Sequence, residues 1–259
     1  MSKMKRWIAV GLPVAGIFVL TMPAVAAPSD DRQPEEKWPE PMAAHPTGQV
    51  LFDRLEFSHT DRDESSVAWD MLAWYGGDRN RLYLKSEGEN RLDDGKPSDL
   101  HSLEVLGSRL VSPFWELQAG LGTAGSTASG ADRENYVVLS LFGTAPYRFE
   151  MDNALRINED GDVSFSLEAE YDLRLTQISY LQPRLEVSGA LTEAEDFDRP
   201  RGINQLRLGV RYRYELSREF APYLGVYWSR SLGQKADWLR GAGEDVTETG
   251  VVVGVRFWL

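Results

Sequence analysis

The chain has 259 residues, with 40 acidic and 28 basic side chains, a net charge of −12 and no cysteine. That balance argues against nucleic acid as a partner and suits cations. The missing cysteines exclude disulfides, thiolate metal sites and a lipidated N-terminal cysteine, so stability must rest on the backbone network and on packing.

Lys3, Lys5 and Arg6 form a positive n-region, and Ile8 to Met22 is apolar apart from Thr21. Pro23 then precedes Ala24-Val25-Ala26, which fits an A-x-A cleavage site. Residues 1–26 are therefore expected to be an export signal, with a mature chain starting at Ala27. An uncleaved anchor helix is the alternative; Gly11, Pro13, Gly16 and the small-residue exit argue against it. Loss of Lys3, Lys5 and Arg6 takes the net charge from −12 to −15. No other stretch approaches the roughly 20 apolar residues of a membrane helix, and mean hydropathy is below zero. Residues 27–48 carry Pro28, Pro34, Pro39, Pro41 and Pro46 among Asp30, Asp31, Glu35, Glu36 and Glu40. Such a segment buries too little apolar surface to offset its chain entropy and is expected to be a disordered, acidic periplasmic tail.

From Gln49 to Leu259 the pattern is strand-period alternation. Tyr147, Phe149 and Met151 alternate with Arg148, Glu150 and Asp152. In the next run Val163, Phe165, Leu167, Ala169, Tyr171 and Leu173 alternate with Ser164, Ser166, Glu168, Glu170, Asp172 and Arg174. Leu181, Pro183, Leu185 and Val187 share one face against Gln182, Arg184, Glu186 and Ser188. Leu206, Leu208, Val210, Tyr212 and Tyr214 do the same against Arg207, Gly209, Arg211, Arg213 and Glu215. Each run is near the ten residues of a tilted transmembrane strand. Pro183 is the awkward member, since it removes a ladder donor. About twelve strands make a barrel too wide to fill with apolar side chains alone, so the apolar faces are expected to meet lipid and the charges a polar lumen. Closure pairs every backbone group, as hydrocarbon demands. Trp74, Tyr75, Trp115, Tyr147, Tyr223 and Trp258 near strand ends suit interfacial girdles.

Connector lengths give a second line of argument. Short turns are predicted at Gly76-Gly77-Asp78, Ser112-Pro113, Ala145-Pro146, Leu175-Thr176 and Ser217 to Pro222, and longer loops between them. Val251, Val253, Val255, Phe257 and Leu259 share a face of the last strand, and Gly254 precedes apolar residues three and five places on. This resembles the terminal signal read by the barrel assembly machinery, although Leu259 stands where many such signals have Phe. The fold class is thus an all-β, antiparallel, up-and-down transmembrane barrel of the outer-membrane type.

Five stretches then become recognisable: AWDMLAWYGGDRNRLYLKSEGE (Ala68 to Glu89), SPFWELQAG (Ser112 to Gly120), INEDGDVSFSLEAEYDLRLTQISYLQPRLE (Ile157 to Glu186), YELSREFAPYLGVYWSR (Tyr214 to Arg230) and AGEDVTETGVVVGVRFW (Ala242 to Trp258). They resemble the copper resistance protein B family, with coverage from about Gln49 to Leu259. The resemblance implies an outer-membrane protein of copper homeostasis that works beside periplasmic copper-handling proteins and binds copper weakly or transiently. Relatives usually carry a Met- and His-rich segment ahead of the barrel, a soft-ligand store. This tail offers only Met42 and His45.

Candidate copper ligands are accordingly few: Met42 and His45, three apart in the tail; His59, beside Asp61 and Asp63; and His101, at the start of a strand. Copper(II) favours imidazole and carboxylate, copper(I) thioether. Met71 and Met151 share parity with lipid-facing residues. Asp70, Arg81, Lys85, Glu87, Glu150, Asp152, Glu168, Glu170, Asp172, Arg184, Glu186, Arg207, Arg211 and Arg256 are expected to face the lumen. They form either a structural network of ion pairs or a polar path for cations. Two other functions compete with copper handling: a nonspecific pore, and a hydrolase built from His101-Ser102 or from His59 with Asp61. Neighbours on a strand point to opposite faces, so His101 and Ser102 form no dyad without a bulge.

Overall fold

Residues that alternate in polarity over ten or more positions fold here as long antiparallel strands. The computed structural model describes residues 46–92, 98–126, 133–193 and 199–259. The expected leader and most of the tail, including Met42 and His45, lie outside the described residues. The strands are β1 (Thr47–Thr60), β2 (Ser65–Gly76), β3 (Asn80–Arg91), β4 (Asp99–Ser112), β5 (Trp115–Ser126), β6 (Arg133–Ala145) and β7 (Phe149–Asn158). They continue as β8 (Val163–Tyr171), β9 (Leu173–Arg174), β10 (Ser179–Ala190), β11 (Gly202–Tyr214), β12 (Phe220–Ser231) and β13 (Thr247–Trp258), with an α-helix, α1 (Gly233–Ala242), before the last.

Neighbours in sequence pair antiparallel, and β1 pairs with β13, Phe57 opposite Val253, which closes the sheet. Both β8 and β9 pair with β10, so they are one stave interrupted at Asp172, and the barrel has twelve. The interruption has a cause in the partner strand. Register runs from Arg184 opposite Glu170 to Leu181 opposite Leu173, which sets Pro183 beside the gap, where it has no N–H to donate.

Connectors are two to five residues long at one end and four to fifteen at the other. At one end they are residues 77–79, 113–114, 146–148, 175–178 and 215–219; at the other, 61–64, 92–98, 127–132, 159–162, 191–201 and 232–246. Outer-membrane barrels turn their short connections to the periplasm, which makes the long-loop end the outer mouth.

The decisive feature is an inverted burial pattern. Leu121, Val253 and Leu224 are 67, 62 and 60% exposed, whereas Glu56, Glu104 and Gln118 are at most 2% exposed. A soluble monomer rarely shows a contiguous apolar patch beyond roughly 300–600 Å². This one girdles the molecule, so the apolar face belongs to lipid.

Tyr75 and Tyr147, 61 and 86% exposed, sit near the short-turn end as the girdle expectation requires. Two other aromatics do not. Tyr223 is 5% exposed and donates to Glu56 (3.0 Å) inside the barrel. Trp74, opposite Tyr83, packs inward against the buried apolar cluster and donates to Gln49 (3.4 Å). Tyr223 is an odd-numbered member of a strand whose Leu224 and Val226 face lipid, so pleat parity overrides its position near a strand end. Inward tyrosines lean over glycines on the next strand. A Cβ on Gly254 would lie 2.6 Å from the Tyr223 ring, and one on Gly250 would lie 2.5 Å from Tyr227. These glycines make room for rings that fill the lumen.

Candidate functional site in the barrel lumen

In β1 the ladder register slips between Phe52 and Leu55: Phe52 opposes Phe257 and Leu55 opposes Val255. The extra residue lets neighbouring Asp53 and Arg54 share the lumen face, which strict alternation forbids. Arg54 then reaches Asp70 on β2 (3.1 Å), Glu87 on β3 (2.7 Å) and, across the lumen, Glu186 on β10 (3.4 Å). Arg184, only 4% exposed, meets Glu168 (2.5 Å), Glu170, Glu186 (2.6 Å) and Asp53 (3.7 Å). Its Nε and Nη2 protons are not aimed at Glu186 and Glu168, so those two approaches are charge contacts rather than aligned hydrogen bonds. Gln182 Nε2 donates to the second oxygen of Glu170 (2.9 Å), and Arg256 Nε lies 3.0 Å from Asp53. Six carboxylates (Asp53, Asp70, Glu87, Glu168, Glu170, Glu186) thus surround three guanidinium groups (Arg54, Arg184, Arg256).

Around that cluster further charges form separate contacts. Arg211 reaches Glu56 (3.1 Å), which also accepts from Tyr223, and Arg213 reaches Asp172 (2.5 Å). Arg207 stacks on Tyr227 at 3.9 Å. The wall from β3 to β7 is different. There Tyr83, Leu106, Tyr136, Val138 and Ala154 form an apolar cluster, flanked by separate pairs: Lys85 to Asp152 (2.5 Å), Arg156 to Glu104 (2.8 Å) and Arg81 to Glu116 (3.1 Å). At the outer mouth Arg199, from the 191–201 connector, pairs with buried Glu134 on β6.

Of the residues expected in the lumen, Asp70, Glu87, Glu168, Glu170, Arg184, Glu186 and Arg256 meet in the one cluster. Arg81, Lys85, Asp152, Asp172 and Arg211 sit in the separate pairs, and Glu150 is exposed and makes no ion pair among the described residues. Asp53, Arg54, Glu56, Glu104, Glu116 and Arg156 belong to the network and were not anticipated.

The candidate ligands are dispersed. His59 is exposed at the outer mouth, within 3.1 Å of Ser65 Oγ and 3.8 Å of Asp63. His101 is reoriented by a second bulge. Leu100 opposes Gly125 and Leu103 opposes Thr123, so His101 and Ser102 together face the single residue Ala124. His101 is exposed whereas Ser102 is only 7% exposed, and no hydrogen bond joins them among the described residues. Among the described residues, no three His, Asp or Glu side chains converge as a metal cage.

The "Copper resistance protein B precursor (CopB)" family matches residues 46–259. The chain belongs to the copper resistance protein B family. It is 34% identical over 209 residues to Copper resistance protein B of Escherichia coli, covering 81% of this chain and 68% of that one. A Copper resistance protein B homolog of Pseudomonas syringae pv. tomato is 35% identical over 208 residues, 80% of this chain and 68% of the relative. Among solved structures the NanC porin superposes with a TM-score of 0.53 over 80% of this chain and 98% of the porin, at 9% identity. That likeness concerns the fold, an outer-membrane barrel. Family and fold together place this copper resistance protein B relative in the outer membrane.

Proposed function

We propose that this barrel binds copper transiently and assists its passage or sequestration at the outer membrane, with the carboxylate-rich half of the lumen as the path. The observation that carries the reading is the excess of Asp53, Asp70, Glu87, Glu168, Glu170 and Glu186 over Arg54, Arg184 and Arg256. A low-dielectric wall with surplus negative charge concentrates cations. The guanidinium groups hold the carboxylates in place and keep the ion from binding too tightly to leave. Residues 1–26 would direct export. The tail would then present Met42 and His45 on the periplasmic side, where a copper-handling protein exchanges the ion. The last strand would be read by the assembly machinery. No covalent chemistry is required of any residue.

Contacts that cross the lumen, such as Arg54 to Glu186 and Lys85 to Asp152, favour this over a nonspecific pore. Growth of a deletion strain on graded copper tests the reading. Restored tolerance on complementation with wild type, but not with a Glu168→Gln/Glu170→Gln variant, is expected. Unchanged copper tolerance on deletion would overturn it. Planar-bilayer recordings separate the alternatives: a general pore gives steady, large conductance, whereas the bridged lumen gives little.

A further inference from the structure

The lipid-facing side of the barrel carries charge of one sign. The chain has 40 acidic and 28 basic residues, yet by the pairing register no Asp or Glu of a described strand lies on that side. Three arginines do, each exposed and each at a rim. Arg109 on β4 opposes Asn80 and Leu117 near the short turns. Arg133 opens β6 at the outer mouth, and Arg230 is the penultimate residue of β12, also at that mouth. A cation on the lipid face is tolerated near the interface, where it reaches water or an opposite headgroup charge. Beside Arg133, Asn135 donates to Glu159 (2.8 Å), so a carboxylate already stands close to it.

Arg230 stands among donors instead. It opposes Thr247, and Trp228 opposes Thr249, on the same side as Leu224 and Val226 (60 and 55% exposed). Directly opposed residues have Cβ atoms about 4.5–5.5 Å apart, so a guanidinium, an indole N–H and two hydroxyls make one patch. None of these four side chains makes a hydrogen bond or ion pair among the described residues. Arg62, from the 61–64 connector, donates to the Thr247 carbonyl (2.7 Å) and the Asp245 carbonyl (3.0 Å), which brings a second guanidinium to the edge. The carboxylates beside the patch are engaged: Glu248 points to the lumen and accepts from Tyr227 (2.8 Å), and Asp61 accepts from the Thr249 N–H (3.2 Å). On the membrane side of the patch come Val226 and Val251, which oppose each other and are apolar.

We propose that this patch seats the phosphate of an outer-leaflet lipid, with Arg230 as the main contact and Trp228, Thr247 and Thr249 as hydrogen-bond donors. A guanidinium matches phosphate oxygens in charge and in geometry. Trp228 spans the boundary, its ring in the apolar belt and its N–H toward the headgroup. The lipid's acyl chains would lie along Leu224, Val226, Val251 and Val253. A phosphate dissolved in water is the poorer match, because the patch opens sideways onto the membrane, directly beyond an apolar belt.

The test uses the full mature protein in detergent micelles, titrated with bisphosphorylated lipid A and followed by native mass spectrometry. Folding of each variant is checked by its heat-modifiable migration in gels. R230Q should weaken lipid A binding about tenfold, the scale of one charge-assisted contact to phosphate. R230K, which keeps the charge but not the planar fork, should retain part of the affinity. Lipid A stripped of its phosphates should bind the wild type as weakly as the intact lipid binds R230Q, an arm that needs no variant to fold. R109Q, at the opposite rim, should leave lipid A binding unchanged. Equal affinity of R230Q and wild type would overturn the proposal, as would equal binding of the phosphate-free lipid. An R109Q loss as large as that of R230Q would reduce the effect to general surface charge and overturn it too. Displacement of lipid A by an equal concentration of inorganic phosphate would make this a site for the dissolved anion, and the lipid assignment would fall.

Discussion

The two walls of the lumen solve one problem in opposite ways. From β3 to β7 the interior is filled by Tyr83, Leu106, Tyr136, Val138 and Ala154, and each charge beside them has its own partner. From β8 round through β13 to β2 the interior is filled by shared charges, with Arg184 alone facing Asp53, Asp70, Glu168, Glu170 and Glu186. Pairwise charges inside a low-dielectric wall satisfy themselves and leave no net field. A shared network with surplus carboxylates is held together only while each arginine stays in place. The first wall is packing; the second is a shared charge network.

Removing the hub should therefore have the largest effect. Arg184→Ala leaves five carboxylates facing one another around a 2%-exposed side-chain position, and breaking such a buried set costs about 3–5 kcal/mol. Denaturant midpoints in bilayers, with kinetics checked for reversibility, measure it. A loss below about 1 kcal/mol, typical of surface pairs, would mean the cluster is hydrated and the contrast between walls is false. The opposite wall is probed by Leu106→Ala, a 0%-exposed side chain, with an expected loss of about 2–5 kcal/mol from the cavity created. It should leave copper binding unchanged, whereas Arg184→Ala should alter it.

The outer surface supplies the next test. Leu224 is 60% exposed, so Leu224→Arg would be nearly silent if water lay outside. Against lipid it should cost about 2–4 kcal/mol near the midplane and less toward either interface. Folding in bilayers of differing thickness would then shift the penalty with depth.

Much of this architecture is legible in the chain. Alternation depends only on the pleat, so the runs around Phe165, Leu185 and Leu208 give both strand and face, and connector lengths give the closed up-and-down order. The bulges hide the centre of the site, because they break the period that the reading relies on. Yet each leaves a trace: Phe52-Asp53-Arg54-Leu55 and Leu100-His101-Ser102-Leu103 both set two polar residues between apolar ones three apart. A strand with one face in lipid can place such a pair only by bulging toward the lumen. Trp74 and Tyr223 mislead for the converse reason, since location near a strand end says less than parity. Contacts across the lumen, such as Arg54 to Glu186, depend on closure and leave no local signal.

The finest comparison pairs one tyrosine from each wall. Tyr223 donates to Glu56 at 3.0 Å in the charged half, and Tyr136 donates to Glu104 at 3.3 Å in the apolar half. Each carboxylate is 2% exposed and also pairs with one arginine, Arg211 and Arg156 respectively. Replacing either tyrosine by phenylalanine keeps the ring over its glycine neighbour and removes only the hydroxyl. Hydrogen bonds to charged groups contribute about 1.5–3 kcal/mol. The shorter bond of Tyr223 should fall within that range, and the longer one of Tyr136 nearer 1 kcal/mol, the net value of an ordinary bond. If Tyr136→Phe proves the more damaging, Glu104 depends on its tyrosine more than on Arg156. The apolar wall would then be held by a buried polar bond rather than by packing.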